Sequence, residues 1–147
     1  MKLLNGLELA YCTNVHRGNT WEETFHSLNR YVLKVRDKVS PEDKFAIGLR
    51  LGAQAASELS AQPEMLGFQK WLEAKNCYVF TINGFPYGNF HGQRVKEDVY
   101  RPDWTTTERL KYTVLLFEIL AELLQPGEEG SVSTLPGSFK EFHPERP

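Results

Sequence analysis

The side chains best equipped for chemistry fall in three short segments. "CTNVHRG" (Cys12 to Gly18) carries Asn14 and His16, and "FAIGLRL" (Phe45 to Leu51) carries Arg50. "TINGFPYGNFHG" (Thr81 to Gly92) carries Asn83, Phe85, Tyr87 and His91. An asparagine donates to and accepts from a hydroxyl or carbonyl group, and a histidine binds metal or shuttles a proton near neutral pH. An arginine set among small residues calls for an acidic partner or an anionic ligand, so phosphate or carboxylate recognition and a structural salt bridge are both open for Arg50. Phe85, Pro86 and Tyr87 form an apolar and aromatic wall between two glycines. Such a wall beside Asn, Tyr and His donors suits a polyhydroxylated or partly apolar small molecule. The bland alternatives are a turn asparagine, a loop histidine and an ordered loop that covers one end of the fold.

The same scan limits the chemistry. Glu8 has the same parity as Asn14 and His16 but lies near the opposite, N-terminal end of its strand, and no inward-facing Asp or Glu stands at a strand's C-terminal end. Divalent-metal sites need several carboxylates with histidine, so these segments alone are not expected to build one. His26 and the helical acids read as solvated surface, and His143 in the tail carries no interpretable signal. No phosphate-binding glycine loop, no GxSxG elbow and no CxxC pair is present. Cys12 and Cys77 fall in apolar strand-like runs and read as reduced thiols.

The elements that must position these residues alternate between two periods. Leu7 to Thr13, Phe45 to Leu51, Cys77 to Asn83 and Gly130 to Leu135 read as strands. Trp21, Phe25, Leu28, Val32, Val35 and Val39 recur at helical spacing behind a Thr20–Glu23 capping box. A second helical region runs from about 53 to 75, split by Pro63. A third presents Leu110, Val114, Phe117, Ala121 and Leu124 on one face, with Thr105 and Glu108 at its start and "QPG" after it. Strand, helix, strand, helix predicts βαβ units and a parallel sheet over a single domain, residues 1–147.

The strands also carry a parity. Phe45, Ile47, Leu49 and Leu51 alternate with Ala46, Gly48 and Arg50; Tyr78, Phe80 and Ile82 alternate with Cys77, Val79, Thr81 and Asn83; Leu7, Leu9 and Tyr11 alternate with Ala10 and Cys12, and then Asn14 and His16. One bulky face and one slim face that turns polar at the C-terminal end fit a closed barrel, whose interior opens at the rim where chemistry is done. An open doubly wound sheet, apolar on both faces, is the alternative. A (β/α)8 barrel needs roughly 250 residues. The expectation is therefore α/β, the N-terminal half of a (β/α)8 TIM barrel with four parallel strands alternating with helices, truncated after strand four; a self-contained four-stranded domain is the alternative.

Composition excludes other classes. A net charge of −2 over 147 residues gives no electrostatic footprint for nucleic acid or anionic membrane. No run is long enough to span a bilayer. "MKLLNGLELAYC" is a poor secretory signal, so the expected location is cytoplasmic.

The segments "YCTNVHRGNTWEE", "FAIGLRLG", "VFTINGFPYGNFHGQRVKEDVYRPDWTTTERLKYT" and "EGSVSTLPGSFK" resemble the EboE-type metabolite traffic proteins. These are bacterial relatives of the xylose-isomerase-like, sugar-phosphate isomerase/epimerase TIM barrels. The similarity covers nearly the whole chain and corresponds to less than half of a family member. It implies a xylose-isomerase-like barrel that binds or isomerises a small hydroxylated or carbonyl metabolite in a biosynthesis or export pathway, alongside other proteins of that pathway. It implies substrate contacts at Asn14, His16, Arg50, Asn83, Phe85, Tyr87 and His91. In the wider superfamily a divalent metal sits on later strands, so its ligands are expected outside this chain and no cofactor is expected on it. A non-catalytic metabolite carrier is the alternative to an enzyme.

Overall fold

A computed structural model describes residues 1–88 and 97–142. Four strands, β1 (Tyr11–Cys12), β2 (Phe45–Arg50), β3 (Cys77–Asn83) and β4 (Ser131–Ser133), form one parallel sheet in the order β1-β2-β3-β4. Between them run α1 (Trp21–Ser27), a π turn (Leu28–Val32) and α2 (Leu33–Val39), then α3 (Ala53–Leu59) and α4 (Gln62–Ala74), and finally α5 (Thr107–Leu123). The chain is thus an α/β fold in which helices alternate with parallel strands. No helix of the described residues is long and apolar enough to cross a membrane.

Local chemistry explains the helix starts. The Thr20 hydroxyl accepts from Glu23 N at 3.1 Å, while Glu23 Oε2 takes the Asn19 amide at 2.8 Å. Pro63 lies in the first turn of α4, where its missing N–H costs nothing. At α5 the cap is Thr106 rather than Thr105: its hydroxyl accepts from Arg109 N, while Thr105 donates to Asp103 Oδ1.

The first strand is shorter than expected. Gly6, at φ 74°, turns the chain back, so that Leu3 N bonds Leu7 O and Leu9 N bonds Met1 O. Residues 1–9 therefore form a hairpin, which reaches across the sheet's N-terminal end. Lys2 pairs with Glu128 at 2.8 Å and Tyr78 donates to Glu8 at 3.2 Å.

The parity of β3 also changes partway along. Phe45 pairs with Cys77 and Ile47 with Val79, but Gly48 pairs with Thr81, leaving Phe80 as an extra residue. A bulge of this kind reverses which side later residues face. Cys77 and Val79 accordingly join Phe45, Ile47, Leu49 and Ile82 in the helix-covered core, against the expected assignment of Tyr78 and Phe80 to that side. After the bulge Thr81 and Asn83 share the slim face with Gly48 and Arg50. A Cβ placed on Gly48 would stand 3.5 Å from both Ala10 Cβ and Thr81 Cγ2.

The packing face of α5 differs as well. Arg109, Tyr112, Thr113, Leu116, Ile119, Leu120 and Leu123 are buried, and Leu110, Val114 and Phe117 are exposed. Polar residues take the inner face because their groups meet backbone there. Arg109 donates to Gly84 O and Pro102 O, Tyr112 to Leu51 O, and Thr113 to Arg109 O. A buried polar group is tolerated when it is so satisfied.

Candidate functional site at the strand C-terminal ends

Arg50 and Asn83 end β2 and β3 as Cα partners, which puts both side chains on one side of the sheet. Arg50 is 4% exposed. Its Nη1 donates to Gly18 O at 2.8 Å and its Nη2 to Gly88 O at 2.9 Å, so one guanidinium ties the first rim segment to the third. Its backbone N–H donates to Thr13 Oγ1 at 2.8 Å, which continues the sheet where β1 ends. The bonds to carbonyl oxygens make Arg50 a strut between loops.

Asn83 works on the other side of the same loop. Its Oδ1 accepts from Phe85 N at 2.9 Å and from the Ser133 hydroxyl at 3.2 Å. Thr81 and Ser131 hydroxyls meet at 2.9 Å one step below. Thr81, Ser131, Asn83 and Ser133 thus form a ladder of hydrogen-bonding groups along β3 and β4, and Ser131 and Ser133 are exposed. Such a row of donors and acceptors matches a vicinal polyol.

The loop that follows β3 is gripped from several sides. Arg109, fully buried, donates to Gly84 O at 3.0 Å and to Pro102 O at 2.8 Å. Its guanidinium carbon lies 5.7 Å from the Tyr87 ring centre and 5.4 Å from that of Tyr112, and those rings meet edge to face at 4.9 Å. Tyr87 O accepts from Ala53 N at 2.8 Å, which caps the start of α3. Phe85 contacts Tyr100, with ring centres 5.6 Å apart. Burial pushes the Tyr112 phenol well above its ordinary range and lowers both arginines, with nearby tyrosines partly opposing that for Arg109.

The structure therefore brings Arg50, Asn83, Phe85 and Tyr87 together around one loop. Asn14 lies on the neighbouring turn Thr13–Val15, and its Oδ1 is buried with no hydrogen-bond partner among the described residues. His16 lines a small cavity together with Thr13, Gly18 and Arg50 and packs against aromatic rings. Its ring stacks on Tyr31 at 4.9 Å and on Tyr11 at 5.8 Å, and its Nε2 meets the Tyr11 hydroxyl at 3.0 Å. The 3₁₀ turn at Thr13–Val15 breaks the strand's alternation and carries His16 to the π-turn side. His91 lies outside the described residues. Arg109, Tyr112 and Ser133 escaped the sequence reading; the polar triplet Arg109, Tyr112 and Thr113 inside an apolar helix was the available signal.

Desolvation lowers the His16 pKa from 6.5. A neutral histidine favoured by the fold contributes stability above pH 6.5 that is lost as pH falls through the lowered folded value. Arg30, whose guanidinium lies 5.3 Å from the Tyr31 ring centre, and Arg17 beside it in sequence add no countercharge. The urea midpoint is expected to fall on acidification below about pH 6.5. In His16→Gln that portion of the slope is expected to vanish.

Among the described residues no three His, Cys, Asp or Glu side chains gather as a metal would require. Asp103, the buried acid near Arg109, accepts from Thr105 and Ser138 hydroxyls. No family model, curated protein or solved structure matches the chain.

Proposed function

We propose that the chain is the N-terminal half of a (β/α)8 barrel whose rim binds a small hydroxylated or carbonyl metabolite. The observation that carries this reading is the pairing of Arg50 with Asn83 at the C-terminal ends of adjacent parallel strands. Ligands of parallel α/β folds bind at that end. The small residues Ala10, Ala46 and Gly48 on the slim face, with a Gly48 Cβ position in van der Waals reach of Ala10 and Thr81, support a closely packed interior side. The hydroxyl ladder of Thr81, Ser131, Asn83 and Ser133 supplies polyol contacts, and Phe85 and Tyr87 supply apolar faces for C–H stacking.

Binding, as in a metabolite carrier, is the role this chain's own residues support best. The isomerase or epimerase activity implied by the resemblance to metabolite traffic proteins belongs to a completed barrel, where Asn14 and Asn83 would orient substrate while Arg50 holds the loops.

Calorimetric titration with D-xylose, D-fructose and a ketose phosphate tests the reading. Saturable binding of at least one sugar, weakened about tenfold or more by Asn83→Ala (about 1.4 kcal/mol) and unchanged by the remote Glu64→Ala, is the expected result. Binding that ignores Asn83→Ala, or no binding to any of the panel, would overturn it.

A further inference from the structure

A cleft of about 440 Å³ opens at the N-terminal ends of the two central strands, β2 and β3, within the size range of small-molecule sites. Its walls come from the segment before β2, from α4 and the turn that leads into β3, and from the end of α5. Neither β1 nor β4 lines it, and Arg50 and Asn83 stand at the opposite ends of the strands.

The floor of the cleft is apolar, because Leu72, Leu123, Cys77 and Tyr78 are its buried side chains. Burial pushes the Cys77 thiol up to about 11, and the thiol donates to Lys75 O at 3.3 Å. Cys77 therefore acts as a small apolar group rather than as a nucleophile.

The polar groups around that floor are sorted into donors and acceptors, and their partners fix which atom of each amide remains open. Lys44 Nζ can only donate, so the Gln125 atom that meets it at 2.8 Å is Oε1. Gln125 Nε2 is left as a donor beside the ammonium. Gln69 Nε2 donates to Glu122 O at 2.9 Å, and Asn76 Nδ2 to Glu42 O at 3.4 Å. Both of those partners are carbonyls, so Gln69 Oε1 and Asn76 Oδ1 are left as acceptors. Glu73 lies one helical turn beyond Gln69 on α4. Among the described residues neither its carboxylate nor the Lys44 ammonium has an ion pair. Lys44 and Gln125 thus offer donors and positive charge, while α4 and its closing turn offer acceptors and negative charge.

We propose that this cleft binds a free α-amino acid with an apolar side chain. Its carboxylate accepts from Lys44 and Gln125 Nε2, and its ammonium donates to Glu73, Gln69 Oε1 and Asn76 Oδ1. Its side chain rests on Leu72, Leu123 and the Tyr78 ring. An anion satisfies only the donors and a cation only the acceptors; a zwitterion with an apolar tail satisfies both and covers the floor. A sugar carries neither charge, so the cleft and the rim are separate sites for different chemistry.

Two-dimensional NMR of the chain titrated with L-leucine tests this. Saturable shifts of the Gln69, Asn76 and Gln125 side-chain amides are expected, with the Asn83 side-chain amide unmoved. Leucinamide lacks the carboxylate and mimics a peptide's N-terminus; N-acetyl-leucine lacks the ammonium and mimics a C-terminus. Each is expected to bind about fivefold or more weakly than L-leucine, as are Lys44→Met and Glu73→Gln to bind L-leucine itself. Both substitutions fall at exposed positions, so the circular dichroism of the parent is expected to persist. The absence of saturable shifts with L-leucine overturns the proposal. Equal affinity for leucinamide or N-acetyl-leucine also overturns it, by making a peptide end the ligand, and so does an affinity that either substitution leaves unchanged. None of these outcomes bears on the rim, whose reporter is Asn83 and whose ligand is uncharged at these groups.

Discussion

Arg109→Ala is expected to lower the unfolding free energy by roughly 3–5 kcal/mol. The side chain is fully buried, and its loss leaves the carbonyls of Gly84 and Pro102 without their donors. Each buried orphan costs about 1–3 kcal/mol, before the void between the Tyr87 and Tyr112 rings is counted. Urea unfolding at fixed protein concentration, followed by tryptophan fluorescence, measures it. Arg109→Lys keeps the charge and loses the fork, so it is expected to recover only part of the loss. An alanine variant within about 0.5 kcal/mol of the parent, the range of an ordinary surface change, would show that Arg109 does not hold the loop.

Gly84→Ala is expected to destabilise by roughly 1–3 kcal/mol for a different reason, overpacking. A Cβ there would lie 2.5 Å from Leu116 Cδ1 and 2.9 Å from Ser133 O. Leu116 is fully buried, and Ser133 O already accepts from Gly84 N at 2.9 Å, so neither neighbour yields freely. The strain also displaces the loop that carries Phe85 and Tyr87, so sugar binding is expected to weaken alongside stability. Combining Gly84→Ala with Leu116→Ala should cost less than the two separate losses together, because the second change removes one of the clashing atoms. Strict additivity would place the clash elsewhere.

How far the residues spoke for themselves varies by element. Cys77–Asn83 was legible to the residue, because the β-branched and aromatic run Tyr78 to Ile82 is bracketed by Asn76 before and Gly84 after. Pro63 announced the start of α4. The bulge at Phe80 was hidden, since nothing in "CYVFTIN" marks an extra residue until a neighbouring strand is present to count against. In α5, two apolar stripes share one helix. Leu110, Val114 and Phe117 read as the core, yet the sheet took the stripe of Leu116, Ile119, Leu120 and Leu123 together with Arg109 and Tyr112. That choice depends on carbonyl oxygens from distant turns, which spacing along one helix does not reveal.

The candidate site follows the same pattern. Arg50 and Asn83 were readable as neighbours because both end their strands. The stacking of His16 on Tyr11 and Tyr31 was not legible, because strand parity does not carry through a 3₁₀ turn. Arg50 was expected to meet an anion or an acid. Its observed bonds to Gly18 O and Gly88 O show that it also ties two loops together, which spacing along the sequence does not indicate.

The central claim is that the polar ends of the four strands share one binding mouth. Two-dimensional NMR of the chain during titration with whichever panel sugar binds locates that mouth directly. The account requires the largest shifts at the Asn83 side-chain amide and the backbone amides of Thr13, Gly84 and Ser133, with Lys44, Asn76 and Gln125 at the far end unmoved. Shifts concentrated on Lys44, Asn76 and Gln125, where a cleft of about 440 Å³ lies at the N-terminal ends of β2 and β3, would contradict it.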